Sequence, residues 1–197
     1  MRLFVAIELD ERVRSRLEKV QAKLRPECDG VRWVRPELIH LTLKFLGEVP
    51  DSKVAAVTQS IARAVANGEP LAMTLTGTGC FPPRGPVRIV WVGAEEPSGK
   101  LVHFAESVDA ELARIGFPRE QRPFSPHLTI GRVQDDRSGG KLRSAVTAVA
   151  IDRIEQAVES VTLMSSVLSP KGPTYHAVSR AKLGERPDGS HCGEVLQ

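Results

Sequence analysis

The chain has 197 residues, of which 41% are hydrophobic and 26% carry charge of both signs, enough for a folded core and too mixed for wholesale disorder. Its net charge of +3 is compatible with a polyanionic ligand but falls far short of the dense basic stripe of a non-specific duplex binder. Three scattered cysteines, Cys28, Cys80 and Cys192, form no CxxC pair, which argues against a disulfide framework and a cysteine-rich zinc site and for reduced thiols in the cytoplasm.

Residues 3–9 read as a short β-rich strand. Its apolar run stops at Glu8, too early for a signal-peptide core, and no apolar stretch is long enough to cross a bilayer, so a soluble cytoplasmic protein is expected. Asp10 suits the cap of a helix on which Val13, Leu17, Val20 and Leu24 recur at helical spacing; Pro26 and "CDG" end it. "VRWV" is a second strand, broken by Pro36, and residues 40–49 are a third. Asp51 or Ser52 caps a helix through Asn67, with Val54, Val57, Ile61 and Val65 on its apolar side. Residues 71–81 alternate as a strand, "PPRGP" turns, and residues 87–94 form the next strand. A helix over about 100–115 carries Leu101, Phe104, Val108, Leu112 and Ile115 on one stripe. Residues 127–133 are a strand, a polar loop follows, and a short helix fits 142–148. Residues 158–168 and 175–183 read as a closing hairpin around "SPKGP"; the polar tail, 184–197, is expected to fray.

Two of these strands repeat a motif: "HLTLKFLG" begins at His40 and "HLTIGR" at His127, close to half the chain apart and each preceded by a proline. This reads as a degenerate duplication with one His-bearing strand per half. Several strand pairs have linkers too short for a crossover helix, so antiparallel pairing is required and the class is α+β. The expected architecture is two pseudo-symmetric lobes over residues 1–183, each a mainly antiparallel sheet with helices on its outer face and a cleft between the lobes.

Side chains alternate along a strand, so His40 and Thr42 share a face, as do His127 and Thr129, while Leu41, Leu43, Leu128 and Ile130 face a core. Brought face to face across a pseudo-two-fold, the pairs offer two imidazoles that divide into one neutral base and one charged acid near neutral pH. The two hydroxyls donate to anionic oxygens. A phosphodiester fits this set: one histidine activates water and the other protonates the departing alkoxide. No metal or cofactor is required. The near-symmetry of the motifs leaves open which histidine is acid and which is base.

"HLTLKFLGEV" and "RPFSPHLTIGR" resemble the paired HxTx motifs of the 2H phosphoesterases. "RLFVAIEL", "VRWVRPELIHLTLKFLGEV" and "GPTYHAV" are similar to the branch of RNA 2′,3′-cyclic phosphodiesterases, also called 2′-5′ RNA ligase-like or LigT-type proteins. The resemblance implies a two-lobed α+β fold and metal-independent hydrolysis of 2′,3′-cyclic phosphate RNA ends or nucleotides to 2′-phosphomonoesters. It implies His40 as proton donor, His127 as proton acceptor, and Thr42 and Thr129 on the phosphate oxygens. It also implies a ligand contact from Arg132, which strict alternation would turn away unless a bulge forms at Gly131.

Tyr175 is expected to reach the cleft from the hairpin. Lys44 shares the His40 face by alternation, and Phe45 is assigned with Leu41 and Leu43 to the core. Trp33 and Phe124 flank the motifs as candidate base-stacking rings. Arg84, Arg88, Arg119 and Arg122 are candidates for positive potential around the cleft. His103, His176 and His191 lack a repeated context. No protein partner is evident, and a monomer is expected. The alternatives are the reverse reaction, 2′-5′ ligation of RNA ends, and a nucleotide- or RNA-binding module without chemistry.

Overall fold

The computed structural model describes residues 1–185 except 137, 139 and 171, so most of the expected tail lies outside the described residues. In chain order the elements are β1 (Arg2–Glu8), α1 (Glu11–Leu24), β2 (Val31–Trp33), β3 (His40–Glu48), α2 (Asp51–Val65), β4 (Leu71–Phe81) and β5 (Ile89–Glu95). There follow α3 (Lys100–Arg114), β6 (His127–Val133), α4 (Leu142–Ala148), β7 (Ile154–Val158), β8 (Ser160–Ser169) and β9 (Gly172–Lys182). The apolar stripes foreseen on the helices are the buried ones: Val13, Leu17, Val20 and Leu24 on α1, and Leu101, Phe104, Val108 and Leu112 on α3. No helix among the described residues is long and apolar enough to cross a membrane.

The strands form one antiparallel sheet in the order β7-β4-β5-β6-β3-β1-β8-β9, with β2 paired to β6. The two expected lobes are therefore halves of a continuous sheet. Their seam is narrow: β3 and β6 meet in one register pair, Leu41 with Leu128. Beyond it the strands part, and β2 takes up the free side of β6 by pairing Arg32 with Arg132 and Trp33 with Gly131.

Two features differ from the sequence expectation. The segment before Val158 is a strand, β7, which pairs with β4 and is not part of the closing hairpin. Its alternation is short, with Ile154, Gln156 and Val158 buried, and the polar Gln156 hides the period. After Glu159 the chain crosses to the other half of the sheet, where β8 pairs with β1 and β9. The second difference is an exchange of helices between halves. α1 follows β1, yet it serves the β6 half: Asp10 N–H donates to Gln156 at 2.9 Å, Arg12 Nη2 to Glu155 O at 2.9 Å, and Gln21 Nε2 to Ile130 O at 2.9 Å. α3 follows β5, yet it holds β3 through Lys44 and Asp109. This interlock buries one continuous core across the seam, with Leu41, Leu128 and Ile130 fully inaccessible.

Candidate active site at the seam

The seam pairing sets the site geometry. In an antiparallel ladder with Leu41 opposite Leu128, His40 falls beside Thr129 and Thr42 beside His127. The two histidines are then diagonal neighbours, about 7–8 Å apart for regular pairing. All four side chains line one cavity of about 1380 Å³. Each imidazole thus stands beside the other motif's threonine on the wall of one cavity.

Both rings are held alike by different local means. A 3-10 turn, Pro36–Leu38, precedes His40, and its Leu38 carbonyl accepts from His40 Nδ1 at 2.8 Å. Pro126 precedes His127, whose Nδ1 meets the Ser125 carbonyl at 2.7 Å. A carbonyl only accepts, so Nδ1 carries a proton in each ring, and Nε2 is the nitrogen left for a ligand. Aromatic contacts fix the ring planes. Phe4 stacks on His40 at 4.7 Å and Tyr175 meets it edge-on at 5.3 Å. Phe81 meets His127 edge-on at 4.9 Å, with Trp91 at 6.5 Å. Phe4, Phe81 and Trp91 escape a reading of the sequence because their strands are brought to the motifs only by pairing.

A bulge follows the threonine in both motif strands. In β3 the register with β1 skips Leu43; in β6 the register with β5 skips Ile130. Each bulge resets the alternation. Consecutive residues Leu43 and Lys44 turn to the core, as do Ile130 and Gly131, and the next residue returns to the cavity. This brings Arg132 onto the face of His127 and Thr129.

The same device corrects two expectations on β3. Phe45 is 65% exposed and lines the cavity, not the core. Lys44 is 3% exposed and leaves the His40 face. Its Nζ donates to Asp109 Oδ1 at 2.5 Å and to the Pro118 carbonyl at 2.8 Å. Gln21 braces the second bulge: its buried Nε2 donates to the carbonyls of Ile130 and Val34, at 2.9 and 2.6 Å. Gly131 is required there, since a Cβ would lie 2.7 Å from Val31 Cγ1 and 3.3 Å from the Trp33 ring.

Of the remaining residues singled out, Tyr175, Phe124, Arg119 and Arg122 line the cavity, whereas Trp33 only borders it, its ring packed over Gly131 and against the core with Arg25 at 5.6 Å. Arg84 and Arg88 do not. Arg119 is engaged by Asp109 at 3.0 Å. Arg32 lines the cavity too and is absent from the sequence candidates, although its place between Val31 and Trp33 in "VRWV" marks it as facing away from the core.

Burial pushes the His40 pKa below its ordinary value, opposed by the Leu38 carbonyl, and the Arg132 charge adds to the depression while Glu8 opposes it. Glu8 is the register partner of His40, whereas Gly93 partners His127. The sign of the consequence is fixed. Below about pH 6.5 the unfolded chain's histidine takes a proton that the folded ring resists, so the ligand-free protein is expected to lose stability as pH falls through that value, until His40 itself titrates. Urea midpoints between pH 7 and 5.5 check this: His40→Gln is expected to lose less than the wild type.

Residues 9–169 match the family model of the 2′-5′ RNA ligase superfamily. The RNA 2′,3′-cyclic phosphodiesterase of Archaeoglobus fulgidus is 36% identical over 89% of this chain and 96% of its own. A solved structure from Thermus thermophilus superimposes with a TM-score of 0.77 at 33% identity, covering 93% of this chain and 98% of that one. Escherichia coli LigT solved with 3′-AMP gives 0.73 at 30% identity, over 93% and 98% of the two chains. The doubled His-x-Thr strand, the seam that unites its copies and these likenesses converge: the chain belongs to the 2′-5′ RNA ligase superfamily.

Proposed function

We propose that this chain hydrolyses 2′,3′-cyclic phosphates at RNA ends to 2′-phosphomonoesters by acid–base catalysis between His40 and His127. The observation that carries the proposal is the single Leu41–Leu128 register pair, which sets both imidazoles on one cavity. The names of the relatives at 30% identity and above, and the 3′-AMP held by E. coli LigT, support a nucleoside phosphate as ligand.

In this reading His127 Nε2 accepts a proton from water as the water oxygen bonds to phosphorus. The bond from phosphorus to the 3′-oxygen breaks, and His40 Nε2–H delivers its proton to that oxygen. The products are a 2′-phosphomonoester and a 3′-hydroxyl. Thr42 and Thr129 donate to the non-bridging oxygens, and Arg132 balances the charge that grows on them. Tyr175 supports the His40 ring. Assigning the acid role to His40 follows the resemblance to the family; the Glu8 carboxylate, its register partner, is itself paired with Arg180. The bound phosphodiester anion favours the imidazolium, so substrate is expected to shift upward a ring whose pKa burial lowers in the ligand-free protein.

Incubation of 2′,3′-cyclic AMP with the protein in EDTA tests the proposal. Release of adenosine 2′-monophosphate is the expected result. Release of the 3′-monophosphate, or turnover only with added metal, contradicts it; tight binding without turnover favours a binding module.

A further inference from the structure

Arg32 and Arg132 are direct cross-strand partners in the β2–β6 ladder, and residues so paired point to the same side. Val31, Trp33 and Gly131 pack together on the other side. Both arginines therefore face the cavity, and both line it. Like charges directly opposite each other in a sheet destabilise it. Neighbouring arginines are compensated: Arg119 has Asp109 at 3.0 Å and Arg35 has Glu37 at 3.3 Å. Among the described residues neither Arg32 nor Arg132 has a carboxylate partner. The fold thus sets two adjacent cations at a cavity wall with no carboxylate of the described residues against them.

The two do not serve the same point. Arg132 lies three residues past Thr129 on β6 and on the cavity face, so its charge continues the row that starts at the seam. Arg32 extends from β2 toward the start of β9, where a Cβ built on Gly172 would lie 3.3 Å from its Nη2. Gly172 has φ +111°, a backbone that disfavours a side chain, so the guanidinium can lie close against it at the cavity wall. Along the wall the order is His127, Thr129, Arg132, then Arg32, running outward from the reacting centre.

We propose that Arg32 binds a second phosphate of the substrate, the phosphodiester on the 5′ side of the terminal nucleotide, and so favours oligonucleotide ends over mononucleosides. The inference rests on the reading of the cavity as a cyclic-phosphate site. A terminal 2′,3′-cyclic nucleoside carries one anionic group; an RNA end carries a further one at the next linkage, and a cation one position outward from Arg132 is placed to meet it. A guanidinium forks onto phosphate oxygens in pairs.

Calorimetric titration with adenosine 2′-monophosphate and adenosine 2′,5′-bisphosphate reads Arg32 without relying on turnover. The wild type is expected to bind the bisphosphate about tenfold more tightly, as one charge-assisted contact at a partly exposed site permits. In Arg32→Ala that ratio falls to near one, while Arg32→Lys keeps part of it. Removal of a like charge from the ladder leaves the thermal midpoint unchanged or higher, which separates a binding role from a structural one. The kcat/KM ratio between a cyclic-phosphate-ended dinucleotide and 2′,3′-cyclic AMP falls in parallel. Equal affinity of the wild type for both ligands, or an unchanged ratio in Arg32→Ala, overturns the assignment to Arg32 and leaves the seam chemistry standing. Failure of the wild type to bind either ligand overturns both.

Discussion

Alanine at His40 or at His127 is expected to lower kcat/KM for 2′,3′-cyclic nucleotides by about 10²- to 10⁴-fold, the usual worth of a positioned acid or base. The two losses are not expected to add. A site whose acid and base serve one transition state is largely disabled by either deletion, so the double variant should fall little below the poorer single one. The fold should survive. Each ring sits at the cavity wall, each loses one hydrogen bond, to Leu38 or Ser125, and such a bond is worth about 1 kcal/mol net. The flanking Leu41 and Leu128 keep the seam closed. Steady-state kinetics beside thermal unfolding separate the two effects. A single variant that retains most of its activity loses its assigned role.

The largest effect on stability is expected away from the chemistry, at Asp109. Its carboxylate accepts from Lys44 at 2.5 Å, from Arg119 at 3.0 Å and from the Glu120 amide at 3.2 Å. The Lys44 side chain is 2% exposed. Asp109→Ala leaves that ammonium buried with the Pro118 carbonyl and, at 3.7 Å, Glu120. Breaking such a buried pair from one side costs about 3–5 kcal/mol. Replacing both partners, as in Lys44→Met with Asp109→Leu, should recover most of that loss, because no charge is then stranded. The pair also pins residues 119–125, which line the cavity, so a raised KM should accompany the single variant. Denaturant midpoints across the four members of this cycle provide the check; equal cost for single and double variants would show that desolvation of Lys44 is not the cause.

The place of the candidate site was legible because its information is local and doubled. His-Leu-Thr in a strand places an imidazole and a hydroxyl on one face by period two, and the second copy shows where its partner lies. The long helices were legible for the same reason, since α1 and α3 carry their buried stripes in plain 3.6 periodicity. What failed was alternation carried past a bulge. A bulge is set by how β3 meets β1, not by β3 alone, and after Leu43 it exchanges the fates of Lys44 and Phe45. In β6 a glycine after Ile130 hinted at the break; in β3 nothing comparable stands after Leu43. The missed strand β7 and the exchange of α1 and α3 between halves have a related origin. Both depend on which distant segment a surface meets, as when Gln21 of α1 braces the bulge beside His127.

The central claim is that His40 and His127 act together on one phosphorus, one charged and one neutral. The pH dependence of kcat/KM for 2′,3′-cyclic AMP tests it most directly. A bell is predicted, with one limb lost in a variant of either histidine, because the productive form must hold a proton on one ring and lack it on the other. A profile that stays level from pH 5 to 9, or one with a single limb in the wild type, would contradict paired acid–base chemistry at the seam.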